Sequence, residues 1–225
     1  MTSSINSERV VSLANVARLY GRFAALRNVT AEFSGSKLYL ILGENGAGKS
    51  TLLRVIAGLI RPTRGELLVL GSKNIREVAP QFGYMAHASM LYDELSGMEN
   101  IKYFARLYGI TDSAACEDII RRVGLDPTLP RRVGQYSQGM RQRISLARAI
   151  LHHPKLLLLD EPFSNVDAQS AQEMVRLLGE MRDAGTIILL VTHQPGLLEH
   201  VADEAVFMNA GEIVSRRVMR AEVPS

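Results

Sequence analysis

The chain has 225 residues and a mass of 24.8 kDa, enough for one sizeable domain with room for an inserted subdomain. Its 47% hydrophobic content suits a packed core, its 22% charged content argues against disorder, and a net charge of +3 is too mild to point to nucleic acid. A single cysteine, Cys116, excludes an intramolecular disulfide and fits a reducing compartment.

The opening stretch MTSSINSERV is polar and lacks the apolar centre of a signal peptide. No apolar run approaches the roughly 20 residues a membrane-spanning helix needs, so the chain is expected to be soluble by itself. Arginine pairs at 121–122, 131–132 and 216–217 read as a solvated basic face.

In chain order, the first 35 residues (VVSL, VARLYG, NVTAEF) suggest short strands and turns. KLYLIL (37–42) is a strand running straight into the glycine-rich loop LGENGAGKST. The following KSTLLRVIAGLI places Leu52, Val55, Ile56 and Leu59 on one helical face, with Gly58 tolerated and Pro62 as the stop. LLVLG (67–71) is a further strand. From about residue 88 to 150 the strand signal vanishes. Helices are expected to end at Gly109, at Gly124 and before Pro154, the last one beginning at SQGMRQR. Cys116 falls in AACEDII, where packing is its expected role. KLLLLDEP and TIILLVTH are continuous aliphatic runs of the kind buried on both faces of a parallel sheet. Between them lies an amphipathic helix ended by Gly185, and AVFMNAGEIV closes the chain as a hairpin around Asn209–Gly211. There is no internal repeat.

Residues Gly43 to Ser50 fit G-x-x-x-x-G-K-[ST] between a predicted strand and a predicted helix. Glycines 43, 46 and 48 let backbone N–H groups turn inward, Asn45 and Thr51 belong to the same loop, and the helix N-terminus adds partial positive charge. Lys49 would reach the β- and γ-phosphates, and the Ser50 hydroxyl would ligate Mg²⁺. Asp160 and Glu161 end the leucine run; an aspartate there can hold Mg²⁺ through water, and the glutamate can deprotonate an attacking water. Having both favours hydrolysis of ATP over mere binding. His193, at a third strand end, is expected to touch the γ-phosphate. Tyr20 is the expected adenine platform, with packing as the competing role. His152, His153 and His200 are read as structural, the first two at a helix C-terminus where their partial charge is welcome.

The phosphate loop, YSQGMRQR, LLLLDEP, SNVD and VTH, in this order around a helical insert, resemble the ATP-binding subunit of an ABC transporter from about residue 9 to 215. The resemblance implies an α/β fold: a P-loop NTPase (RecA-like) core with a mainly parallel sheet, an N-terminal antiparallel β subdomain and an inserted helical subdomain. The expected division is 1–87 for the β subdomain and first part of the core, 88–150 for the helices, and 151–225 for the rest of the core. It implies ATP and Mg²⁺ as ligands and a dimer in which Ser137 and Gly139 cap the ATP of the other subunit. Ser164–Asp167 would contact that subunit. It implies integral membrane permease partners and a cytoplasmic location, peripheral on the inner face of the membrane. Residues 88–110, with Met90, Leu91, Tyr92 and Leu95, would receive the permease, against ordinary core packing as the other reading.

Two departures stand out. Gln138 and Met140 fill positions where the family's signature has a glycine and a glutamine, and His87 stands where most relatives carry a glutamine that touches the metal. Imidazole is a poor Mg²⁺ ligand, so a direct metal role for His87 is not expected and a water-mediated one stays open. YMAHASMLYDELSGMENIKYFARLYG, with YSQGM, resembles subunits of haem exporters of cytochrome c maturation, and also drug- and lipid-exporting subunits; the haem reading is the one preferred. A soluble ABC ATPase acting on DNA or ribosomes, or a P-loop kinase or GTPase, fits the motifs less well.

Overall fold

The structure is a computed structural model that describes residues 10–220, so the polar opening stretch, Val10 apart, lies outside the described residues. A long hairpin begins the fold: β1 (Val10–Tyr20) pairs antiparallel with β2 (Phe23–Ser34). β3 (Leu38–Leu42) leads through the glycine-rich loop into α1 (Lys49–Ile56). β4 (Arg64–Val69), the short α2 (Ile75–Val78) and β5 (Phe82–Met85) follow. Three helices come next, α3 (Gly97–Leu107), α4 (Ser113–Arg122) and α5 (Gln138–Ile150). The chain then alternates through β6 (Leu156–Asp160), α6 (Ala168–Asp183) and β7 (Ile187–Val191), and ends in the hairpin of β8 (Glu204–Asn209) and β9 (Glu212–Val218).

The strands make two sheets. One has three antiparallel strands in the order β2-β1-β4; the other has six, β5-β6-β7-β3-β8-β9, parallel except for β9. Side chains alternate across the larger sheet. Leu40, Leu157, Leu159 and Leu190 join a core with Ile144 of α5 and Leu178 of α6. Ile41, Leu156, Leu158 and Leu189 join a second core with Leu52 of α1 and Phe33 and Val69 of the antiparallel sheet. Both faces are therefore dry, which is why these strands read as unbroken aliphatic runs. Truncating one such side chain, as in Leu158→Ala, is expected to cost about 2–5 kcal/mol.

Three local features depart from the sequence expectations. The N-terminal strands are long and not a series of short ones. Asn15 and Asn28 take left-handed φ values of 52° and 47°, and the β1–β2 register shifts between Leu13 and Val16, so a bulge bends the ribbon without ending it. α1 stops at Ile56, well short of Pro62. Gly58, at φ 71°, donates to the Val55 carbonyl and Leu59 to the Arg54 carbonyl, a left-handed closure that only glycine takes without strain; Leu59 consequently points to solvent. Arg216 is not a merely solvated cation: it pairs with Glu204, and its guanidinium lies 5.3 Å from the Phe33 ring centre.

Cys116 is buried, and burial raises its thiol pKa, in keeping with a packing role. No helix among the described residues is long and apolar enough to cross a membrane.

Candidate functional site

Register decides which side chains meet. In the parallel sheet, Val191 of β7 pairs with both Ile41 of β3 and Asp160 of β6. The segments leaving the carboxyl ends of these three strands therefore converge, at the sheet edge where open α/β sheets bind ligands. They are the glycine-rich loop, Asp160–Glu161 and Thr192–His193.

The loop passes so close to the antiparallel sheet that a Cβ on Gly48, at φ 99°, would fall 2.5 Å from the Ala25 carbonyl oxygen. Gly48 is also the residue preceding α1, so backbone N–H groups at the start of that helix face the cleft. Lys49 is only 6% exposed, and its ammonium is held by the carbonyls of Gly43 at 2.7 Å and Glu44 at 2.8 Å. A buried cation satisfied by neutral carbonyls alone is poised to take an anion.

Ser50 Oγ donates to Asp160 Oδ1 at 2.9 Å. Asp160 is 1% exposed, and its Oδ2 is buried without a hydrogen-bond partner. A hydroxyl and a carboxylate, both hard oxygen donors, with one carboxylate oxygen unsatisfied, fit a magnesium ion. His87 lines the same cleft and is exposed. Among the described residues no group of three His, Cys, Asp or Glu side chains is arranged to hold a metal, so His87 does not complete such a cluster with Asp160 and Glu161.

Glu161 adopts a left-handed φ of 56°, a conformation costing about 1–2 kcal/mol for a residue with a side chain. Its N–H is tied to the Val191 carbonyl at 2.9 Å. The carboxylate is turned toward His193, whose backbone N–H donates to Oε2 at 3.1 Å and whose Nε2 lies 3.3 Å from Oε1. Burial pushes the Glu161 pKa above the usual carboxylate range, and the nearby Asp160 adds to this, while the His193 contacts partly oppose it.

The resulting cleft has a volume of about 370 Å³, and Asn45, Gly46, Gly48, Lys49, Ser50, Thr51, Asp160, Glu161 and His193 all line it. The aromatic residue on its wall is Phe23, not Tyr20. The two face each other across the turn joining β1 and β2, and Tyr20 lies under the Arg18 guanidinium, 4.6 Å from its ring centre. Phe23 was missed by the sequence reading, although YGRF offers both aromatics at one turn.

Ser137 and Gly139 do not line this cleft. Ser137 is the exposed N-cap of α5, its Oγ accepting from the Met140 N–H at 3.2 Å. Gly139 is buried against the Ser164–Asp167 loop, where an added Cβ would sit 3.0 Å from the Asn165 carbonyl oxygen. The remaining histidines divide. His153 and His200 are exposed, whereas His152 stacks flat on Tyr108 with ring centres 3.9 Å apart. Burial pulls the His152 pKa down to about 4, so it is neutral near pH 7 and lends α5 no charge, contrary to the expectation from its position. Of the expected permease contacts, Met90 and Tyr92 are exposed, while Leu91 is partly buried against the core.

A family model described as ABC transporter matches residues 26–164. Among curated proteins the chain is similar to the ABC transporter ATP-binding protein NatA of Bacillus subtilis (strain 168), at 33% identity over 204 residues, 88% of this chain and 83% of that one. It is also similar to the lantibiotic transport ATP-binding protein SrtF of Streptococcus pyogenes, at 31% identity over 205 residues, covering 91% and 89%. Among solved structures, one of an ATP-binding subunit of an ABC transporter superposes with a TM-score of 0.85 at 26% identity, over 93% of this chain and 90% of that one.

Proposed function

This chain belongs to the ABC transporter family as an ATP-binding subunit and an ATPase, and from that premise we propose that it powers export through a separate membrane subunit. The observation carrying the site assignment is the convergence of Lys49, Ser50, Asp160, Glu161 and His193 at the ends of three adjacent strands. Lys49 and the inward N–H groups of Gly46 and Gly48 hold the β- and γ-phosphates. Ser50 and Asp160 hold Mg²⁺, which when bound screens the phosphate charge. Glu161 takes the proton from the attacking water, its raised pKa making it a stronger base. His193 fixes the Glu161 carboxylate through its backbone N–H and offers its ring to the γ-phosphate. The adenine is stacked by an aromatic of the β1–β2 turn, Tyr20 or Phe23. In a dimer, Ser137 and Gly139 of each chain cap the ATP of the other.

The membrane-bound partner is a permease, and the chain works at the cytoplasmic membrane face. Haem is the cargo suggested by the GYMAH and YSQGM segments, which resemble haem-exporter subunits, whereas FARLYG-type segments are shared with drug- and lipid-exporting subunits. A second reading, export of an antimicrobial peptide or another drug-like or lipid cargo, is favoured by the similarity to a protein named for lantibiotic transport. The test is reconstitution of the chain with its multi-span partner in proteoliposomes. ATP turnover stimulated by haem supports the first cargo, and turnover stimulated by a cationic peptide supports the second. No ATP turnover in either case, with both proteins folded, overturns the assignment as a transport motor.

A further inference from the structure

The segment ahead of Ser137 and the first turn of α5 behind it are both tied to one stretch of chain, residues 93–97, which leads into α3. The Gly134 N–H donates to the Asp93 carbonyl at 2.9 Å, and the Val133 N–H donates to the Leu95 carbonyl at 2.8 Å. Tyr136 is only 9% exposed, and its hydroxyl accepts from the Gly97 N–H at 3.2 Å. On the other side of Ser137, the Arg141 guanidinium donates to Asp93 Oδ1 at 2.7 Å, and the Arg141 backbone N–H donates to the Ser137 carbonyl at 2.9 Å. Ser137 therefore sits between two anchors that share one support.

That support is itself held in place. Asn100 of α3 is fully buried; its carboxamide accepts from the Tyr92 N–H at 2.8 Å and donates to the Tyr92 and Ser96 carbonyls at 2.9 and 3.0 Å. Ser96 caps α3, its Oγ accepting from the Glu99 N–H at 3.2 Å. Gly97 shows how close the fit is. Glycine is a poor helix former, yet it opens α3, and an added Cβ would lie 2.8 Å from the Tyr136 hydroxyl. Neither Tyr136 nor Arg141 lines the cleft around Lys49, so this bracing acts on the start of α5 and not on the phosphate loop. A hydroxyl that must meet a phosphate across an interface works best where its position is set in advance.

We propose that Tyr136 and Arg141 are positioning residues for the ATP bound by a second copy of this chain, holding Ser137 in the orientation in which its hydroxyl meets the γ-phosphate. Neither touches the nucleotide. The proposal rests on the reading of Ser137 as the cap of the other subunit's ATP, and adds the residues that aim it.

The test uses the full chain in a Glu161→Gln background and measures the ATP concentration at which nucleotide trapping is half complete. Affinity for ADP, which has no γ-phosphate for a cap to touch, is measured alongside. Tyr136→Phe keeps the ring and removes the hydroxyl. It should raise the half-trapping ATP concentration by about fivefold, the weight of one hydrogen bond, and leave ADP affinity within about twofold. Gly97→Ala should act in the same way by crowding the hydroxyl. Added to Tyr136→Phe it should cost little more, because phenylalanine leaves room for the new methyl group. Asp93→Lys faces Arg141 with a like charge and should weaken trapping, and Arg141→Glu in the same chain should recover it. Unchanged trapping in Tyr136→Phe, additive costs of Gly97→Ala and Tyr136→Phe, or an Asp93→Lys defect that Arg141→Glu does not lessen would each overturn the proposal. ADP affinity falling in step with trapping would overturn it too, since that is the mark of general loosening. Ser137→Arg separates the two readings. Its loss of trapping beside an indifferent Tyr136→Phe defeats the positioning role alone, whereas normal trapping in Ser137→Arg defeats the shared site and the proposal with it.

Discussion

His193 anchors the Glu161 carboxylate by one hydrogen bond: its backbone N–H donates to Oε2 at 3.1 Å, while its Nε2 lies 3.3 Å from Oε1, which is buried without a hydrogen-bond partner. The histidine thus fixes both the rotation of the carboxylate and its electrostatic surroundings. Glu161→Gln keeps the shape and the backbone hydrogen bond but cannot accept a proton. It is expected to bind ATP normally while turnover falls by about 10²–10⁴-fold, the usual contribution of a general base, and to accumulate as an ATP-bound dimer. Wild-type turnover in this variant, measured by phosphate release, would remove Glu161 from the catalytic role.

The Lys49 ammonium is held by two carbonyls, with no carboxylate within ion-pair distance among the described residues, so a bound triphosphate supplies a direct anionic partner. Lys49→Ala removes a charged hydrogen-bond donor with no substitute nearby. It should weaken ATP binding by about 2–3 kcal/mol, or roughly 30- to 150-fold, as read by isothermal titration. An unchanged dissociation constant would show that the phosphates lie elsewhere.

His87 lines the cleft but forms no metal cluster with its acidic neighbours. His87→Ala is accordingly expected to keep the basal ATPase of the isolated subunit within a few fold while blunting stimulation by the membrane partner. Loss of basal hydrolysis would put the imidazole in direct contact with the reacting groups.

His152 makes stability depend on pH. Its folded pKa of about 4 lies below the ordinary value of 6.5, so the unfolded chain binds the proton more readily. The stabilising effect of keeping this ring neutral is complete above about pH 6.5 and is lost as pH falls toward 4, an effect on the order of 2 kcal/mol. Thermal melts should show His152→Phe losing less stability than the wild type between pH 6.5 and 4. Parallel curves would mean that the ring is not the titrating group in that window.

What could be read from the chain depended on how local the signal was. LYLIL, LLLLD and IILLV announced themselves because both faces of the central sheet are dry, and the phosphate loop because its glycines, Lys49 and Ser50 are contiguous. The end of α1 was misplaced because Gly58 looked tolerable beside Pro62; its left-handed closure follows from backbone hydrogen bonds that composition does not display. β5 escaped notice since four residues with a central glycine carry no period. Phe23 was overlooked beside Tyr20 because which aromatic faces the cleft depends on the path of the β1–β2 turn.

Ser137 and Gly139 stand apart from the cleft that holds Lys49, and this allows the shared-site reading to be tested directly. If each ATP lies between Lys49 of one chain and Ser137 of the other, each site needs one intact element from each subunit. A Lys49→Ala homodimer has two ruined phosphate loops, and a Ser137→Arg homodimer has two ruined caps, so both should be inactive. In a mixed dimer one site inherits both defects. The other combines the sound phosphate loop of the Ser137→Arg chain with the sound cap of the Lys49→Ala chain. Mixing two inactive proteins should therefore restore one composite site, seen in a Glu161→Gln background as trapped nucleotide at half the level of a dimer carrying Glu161→Gln alone. Trapping is the better readout because steady turnover can require both sites. Verified mixed dimers that trap no more nucleotide than either parent would defeat the shared site, and the group capped by YSQGM would have to be sought within its own chain.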